Sequence, residues 1–234
     1  MRSTLAGTAG LCLLASVALT AADFWEEREF TAWSNQQVEK LLSDSPWARK
    51  VTVVTGRLRE GARNEGFQGG GAGFGGGGGG ARDGDAGEFQ QIGRMTLTVA
   101  WASALPVRQA LVRRQIGPDA PIPPDLQRQL SEDDPFYTVA VVGLPFRMTA
   151  RMGTIDEVRA KTALKPSGKE PIAPAELRAA KDGDQFVRVE FLFPKASAIT
   201  LDDKEVEFIT TLLGVEVKRK FRLADMTIRG RLLL

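Results

Sequence analysis

The chain has 234 residues, 43% hydrophobic and 26% charged, with 31 basic against 29 acidic residues, no histidine and one cysteine. This near balance of charge argues against nucleic acid as a partner, because a protein that engages a long polyanion mainly through charge carries a basic excess or cluster. Without histidine, and with Cys12 as the sole thiol, Ser-His and Cys-His nucleophile pairs and the usual zinc ligand sets are excluded, and no cofactor is expected.

In chain order, the first element reads as an export signal. Arg2 precedes an uncharged run from Ser3 to Ala22, most apolar between Leu11 and Leu19, and the small residues Thr20, Ala21 and Ala22 precede Asp23. Charged, apolar and small-residue regions in that order predict a secretory signal peptide over 1–22, cleaved after Ala22. The alternative is an uncleaved anchor, the one route to a membrane, although Gly, Ser and Thr make the run a poor spanning helix. Cys12 follows Leu11 rather than a small residue, so it reads as part of the signal and not as a lipidation site. Cleavage would remove Arg2 and no acid, so 31 basic residues become 30 against 29 acidic. No disulfide can then form, and one conventional core has to hold residues 23–234 as a single domain.

Phe24 to Phe30 reads as an extended lead-in. The clearest local signal follows in Trp33-Ser34-Asn35-Gln36-Gln37-Val38-Glu39-Lys40-Leu41-Leu42-Ser43-Asp44-Ser45-Pro46-Trp47-Ala48-Arg49. Ser34 and Gln37 form a capping box, Trp33 and Val38 occupy the two positions of a hydrophobic staple, and Val38, Leu41 and Leu42 share one helical face. Pro46 stops the helix. Trp33 and Trp47 then bracket it and plug it into the core before a strand at Val51-Thr52-Val53-Val54. Together with Ala102-Ser103-Ala104-Leu105-Pro106-Val107 and Ile199-Thr200-Leu201-Asp202-Asp203-Lys204-Glu205-Val206-Glu207-Phe208, this stretch resembles a group of exported bacterial proteins of unknown function. The resemblance spans most of the chain outside its glycine tract. It implies export and one compact domain, and it carries no catalytic residue over.

More than half of the 25 glycines lie between Gly66 and Gly87. Such a segment buries too little surface to offset its conformational entropy, so 61–90 reads as a disordered loop between two strands, in the manner of an enlarged hairpin. A phosphate-cradling loop would need Lys-Ser/Thr or a helix start after the glycines, and Ala81-Arg82-Asp83-Gly84-Asp85 offers neither. Asp83, Asp85 and Glu88 lack the full spacing of a calcium loop. A strand resumes at Ile92 with Met95, Leu97, Val99 and Trp101 on one face. Ala104 to Gln115 reads as a helix with Pro106 in its first turn and Arg113 and Arg114 complementing the dipole at its end. Gly117 to Pro124 is a proline-rich connection, and Phe136 to Leu144, apolar on both faces, a central strand. Thr154-Ile155-Asp156-Glu157 caps a short helix through Lys161. Pro166 to Asp184 reads as surface, with a helical turn at Pro174 to Ala179.

From Phe186 strands follow one another. With two-residue turns at Leu213-Gly214 and Ala224-Asp225, an antiparallel meander places Val206, Phe208, Leu212, Val215, Val217, Phe221, Leu223, Met226, Ile228, Leu232 and Leu234 on one face. Lys218 then opposes Arg231 and Lys220 opposes Arg229, while Glu207 faces Lys220 and Glu205 faces Arg222 across the other ladder. The bases could hold an acidic polysaccharide or lipid headgroup, or simply pair with these acids in a solvated face. Arg219 falls on the apolar face between Phe208 and Gly230, where it can stack or snorkel.

The fold expected is α+β: a largely antiparallel sheet of about seven strands covered by about three helices, with a two-sheet sandwich as the alternative. The function expected is a non-catalytic binding or assembly module of the cell envelope, with an envelope protein or glycan as partner. It would act through a sheet edge or a surface near Trp25 and Trp47, with Lys218, Arg219, Arg229 and Arg231 as further contacts. The alternative is an exported hydrolase using two carboxylates drawn from Glu26/Glu27/Glu29, Glu132-Asp133-Asp134, Asp182/Asp184 or Asp202/Asp203. Most of these acids sit where turn chemistry alone would put them.

Overall fold

The computed structural model describes residues 23–55, 93–118 and 120–234. Asp23 leads into a short helix, α1 (Phe24–Glu27), and a 3-10 turn follows at Phe30–Ala32, where an extended lead-in was expected. Aromatic packing is the reason for the correction. Phe24 meets Trp25 and Trp33 edge-on, at centroid distances of 4.8 and 5.6 Å, and Trp25 meets Trp47 at 5.7 Å. An extended chain would turn alternate rings to solvent, whereas the coiled path buries them together.

The capping box forms as read: the Gln37 amide donates to Ser34 Oγ at 3.3 Å and the Ser34 amide donates to Gln37 Oε1 at 3.0 Å. It opens α2 (Asn35–Ser43), which buries Val38 and Leu41. The chain then turns through Ser45, whose hydroxyl donates to the Leu41 carbonyl at 2.7 Å, and Trp47 is fully enclosed. Strand β1 (Ala48–Thr55) pairs antiparallel with β2 (Gly93–Trp101) from Ala48↔Ala100 to Thr55↔Gly93. The two strands flanking the glycine tract therefore form one ladder; the tract over 61–90 and the signal segment lie outside the described residues.

Helix α3 (Leu105–Ile116) carries Pro106 in its first turn as expected, and α4 (Pro124–Ser131) follows the proline-rich connection. The second of these has only Leu126 and Leu130 as an apolar signal. It is held from outside by Arg108, which donates to the carbonyls of Gln129 and Glu132. Next come β3 (Phe136–Pro145), a 3-10 turn at Phe146–Arg151, and α5 (Ile155–Ala160), opened by the Thr154–Glu157 capping box. Then follow β4 (Ala163–Pro166), β5 (Glu176–Asp182) and β6 (Phe186–Pro194). The helical turn expected at Pro174 to Ala179 is thus part of a strand. Strand β5 lies at the edge of its sheet and is mostly exposed, so few inward positions advertise it to a reading by alternation.

The chain closes with a 3-10 turn at Leu201–Asp203, β7 (Glu205–Leu212), β8 (Val215–Arg222), a 3-10 turn at Leu223–Met226, β9 (Thr227–Ile228) and β10 (Arg231–Leu232). Among the described residues the fold is α+β, with five α-helices and ten strands. The strands form a five-stranded antiparallel sheet in the order β1-β2-β3-β6-β5, a three-stranded sheet β4-β7-β8 and the small pair β10-β9. The two larger sheets share one core: Trp101 packs edge-on to Phe221 at 5.2 Å, and Phe208 lies 5.3 and 6.3 Å from Phe191 and Phe193. Sheet-on-sheet contact, the hallmark of the sandwich alternative, thus occurs inside a fold that also packs α2 against α3 and β1.

The C-terminal meander is correct in its first half only. Leu213 and Gly214 have φ of 55° and 74°, the paired left-handed residues of a two-residue hairpin, and Leu212 faces Val215. Glu207↔Lys220, Glu205↔Arg222 and Phe208↔Arg219 are in register as read. The second turn is not where it was expected. Ala224-Asp225 lacks the glycine that Leu213-Gly214 and Arg229-Gly230 each place second, and the segment coils as a 3-10 turn tied by Thr227 Oγ1 donating to the Ala224 carbonyl at 3.0 Å. Arg229-Gly230, with φ of 51° and 75°, makes the turn instead and pairs β9 with β10. Lys218 therefore does not oppose Arg231, nor Lys220 Arg229, and Gly230 does not flank Arg219.

Candidate binding groove along strand β8

Strand β8 is the edge of its sheet, and its open side faces β1 and the α1–α2 segment. A groove of about 810 Å³ lies along this edge. Its walls are Asp23, Trp25, Glu26 and Lys40 from the α1–α2 side, Asp44 to Pro46 and Arg49 from the approach to β1, and Glu205, Arg219, Lys220, Arg222, Ala224, Asp225 and Thr227 from the β7–β8 side.

Three of the five cations on these walls are ion-paired, and a fourth, Lys40, lies over the Trp25 ring, 6.0 Å from its centre. Arg49 lies 3.2 Å from Asp44, Lys220 2.9 Å from Glu205 and Arg222 2.7 Å from Asp225. Arg219 differs. Residues 217, 219 and 221 share the inner face of β8, and Val217 and Phe221 are fully buried, so the strand carries the Arg219 stem inward between them. The guanidinium carbon lies 5.4 Å from the Phe221 ring centre; stacking is with this neighbour on its own strand rather than with Phe208 opposite. Its Nε is enclosed and has no hydrogen-bond partner, and no carboxylate among the described residues pairs with it. Burial, with Arg49 and Arg222 close by, pushes the guanidinium below its ordinary pKa. It remains a cation at neutral pH, because guanidinium does not deprotonate in proteins. A partly desolvated cation without a counter-ion costs stability, and an arriving anion would recover part of that cost.

The other expected contacts separate. Trp25 is 7% exposed and Trp47 is fully buried, so the indoles are core residues and not the surface expected of them, although Trp25 contributes an edge to the groove wall. Lys218 points to the opposite face of β8 and pairs with Glu216 at 2.8 Å. Arg229 sits in the β9–β10 turn, 3.7 Å from Glu29, and Arg231 is exposed on β10. Arg219 is brought together with other charged groups in the groove, and Arg231 with Arg108, Lys195 and the Glu132-Asp133-Asp134 acids in a smaller cavity of about 200 Å³.

Acids from three of the four clusters sit in local structure. Asp134 Oδ1 accepts the Phe136 amide at 2.9 Å at the start of β3, and Asp182 and Asp184 flank Gly183 in the β5–β6 turn. Asp203 is 4% exposed and accepts from Lys169 Nζ and from the Thr200 amide, each at 2.8 Å. Its burial favours the neutral form, but the Lys169 and Thr200 hydrogen bonds outweigh it and hold the carboxyl below its ordinary pKa. Among the described residues no three acidic side chains converge as a metal site, and no helix is long and apolar enough to cross a membrane.

Arg113 is the residue that sequence reasoning most misjudged. It is 1% exposed, and its guanidinium donates to four carbonyls: Thr31 at 2.5 Å, Gly117 at 2.9 Å, Ala120 at 3.0 Å and Phe30 at 3.4 Å. It stitches the Phe30–Ala32 turn to the end of α3, and so fixes the segment that carries α1 to the groove. Comparison of the chain with protein-family models, with curated proteins and with solved structures finds no match.

Proposed function

We propose that the protein is an exported, non-catalytic binding module of the cell envelope, as the resemblance and the leader-like segment 1–22 imply, and that it works through the groove along β8. The observation that carries this reading is Arg219: a half-buried cation with no counter-ion, on the wall of a concave site of about 810 Å³. Binding sites gather a few convergent polar groups in a concavity of roughly 300–1,000 Å³, and the groove falls in that range. The partner is an envelope protein or glycan presenting an anionic group.

The hydrolase alternative draws less support. A carboxyl acting as general acid needs a raised pKa. In the groove, Asp44, Glu205 and Asp225 are each tied to a cation, and among the described residues the two carboxyls that depart from their ordinary values, Glu176 beside Arg178 and Asp203 beside Lys169, both move down.

The test is retention of envelope components by immobilised chain Asp23–Leu234, by a form with Gly66–Gly87 shortened, and by Arg219→Gln. The expected result is one partner recovered by the first two and depleted at least tenfold by the third. Recovery of nothing by any of them, with turnover of envelope glycans instead, would overturn the reading in favour of the enzyme.

A further inference from the structure

Resting on the groove as the binding site, the charge arrangement allows the ligand class to be named. Arg49 and Arg222, the two guanidiniums nearest to Arg219 in their electrostatic effect, are already neutralised by Asp44 and Asp225. One fork is therefore free, not three. A phosphate or sulfate dianion is held best by several converging donors, whereas one planar guanidinium matches one carboxylate in charge and in bidentate geometry. The groove walls as a whole carry five acids and five bases, so they exert no net pull on a polyanion. Glu26, on the α1 side, is exposed and makes no ion pair among the described residues, which places a free carboxylate on the wall shared with Trp25, where Lys40 lies over the indole.

We infer that the groove takes a short zwitterionic peptide, its carboxylate on Arg219 and its ammonium towards Glu26. The ligand's own charges cancel, as those of the groove do, and its volume suits a site of about 810 Å³. Phe221 backs one face of the guanidinium and Nε is enclosed, so the Nη atoms are the groups left to meet the carboxylate.

The experiment is calorimetric titration of the full chain, expressed with its own N-terminal segment, using four probes: trialanine, trialanine amide, N-acetyl-trialanine and inorganic phosphate. Trialanine is expected to bind at least tenfold more tightly than its amide and at least threefold more tightly than its acetylated form, with phosphate failing to displace it. Arg219→Gln should lose the preference for the free carboxylate without lowering Tm, and Arg219→Lys should keep only part of it, having charge but no fork. The amide comparison needs no variant, so it stands even if a substitution perturbs folding. Equal binding of trialanine and its amide, competition by phosphate at equal concentration, or no binding of trialanine at millimolar levels would each overturn the inference. Envelope retention that persists through such a failure would leave the binding-module reading intact with a different ligand.

Discussion

The two faces of the β7–β8 ladder both carry basic residues, and those residues end in opposite electrostatic states. On the outer face Lys220 reaches Glu205 and Lys218 reaches Glu216, each in solvent and each satisfied. On the inner face Arg219, the residue between them, lies over Phe221 with an enclosed and unpartnered Nε. One backbone step decides which environment a cation meets, because successive side chains on a strand point to opposite sides. Exposed pairs contribute little to stability, since water and salt already satisfy each charge. A half-buried charge with no pair costs stability, and it is also the one that gains from a ligand. A strand edge that is quiet on one face can therefore be receptive on the other.

The widest gap between the faces should appear at β7. Phe208 is fully buried between Phe191 and Phe193, while its neighbour Glu207 faces out across from Lys220. Phe208→Ala removes a ring from the junction of the two sheets and should cost about 3–5 kcal/mol, whereas Glu207→Ala should stay within about 0.5 kcal/mol. Urea denaturation of both variants checks this. Equal midpoints would mean that the two sheets do not share the core described above.

An intermediate effect is expected at Asp203, which is buried and paired inside a local turn. Removing its charge leaves the Thr200 amide without its acceptor and Lys169 with the Ala198 carbonyl alone, so Asp203→Ala should lose about 1–3 kcal/mol at pH 7. The sign of the pH dependence follows from the depressed pKa of the folded state. The contribution is fully present above the unfolded carboxyl value of about 3.9, and it fades as pH falls through the lower folded value. The stability gap between wild type and Asp203→Ala should therefore narrow below about pH 4. A gap that stayed constant down to pH 2 would remove the carboxylate from the account.

What was legible in the sequence is what neighbours decide. Both capping boxes, at Ser34 and Thr154, and the β7–β8 register with its Leu213-Gly214 turn depend on residues within a few positions of one another, and all are present. The aromatic plug around α2 was legible because Trp33 and Trp47 sit at its ends. Arg219 stood out because it breaks an apolar alternation. What was not legible depends on distant partners. Arg113 looks like any base at a helix end until the Phe30 and Thr31 carbonyls, from eighty residues earlier, arrive beside it. The groove itself joins α1, the approach to β1 and the end of β8, three segments whose meeting no local pattern announces. The Ala224-Asp225 turn failed because the alternation of apolar residues was followed past the point where backbone conformation allowed it.

The smallest expected stability effect is also the most diagnostic, and it concerns Arg219. If the residue served the fold, replacing it would lower Tm, as truncating any packed side chain does. Methionine keeps the length and the contact with Phe221 while removing the charge, and with it the repulsion from Arg49 and Arg222 and the enclosed, unpartnered Nε. Arg219→Met should therefore hold stability or raise it by up to about 1 kcal/mol, the small gain reflecting how much of the charge water still reaches. Envelope retention should fall in the same variant. A gain in stability coupled to a loss of binding is the signature of a residue kept for its ligand. Loss of stability with retention unchanged would instead make Arg219 a packing residue and return the groove to the status of a surface furrow.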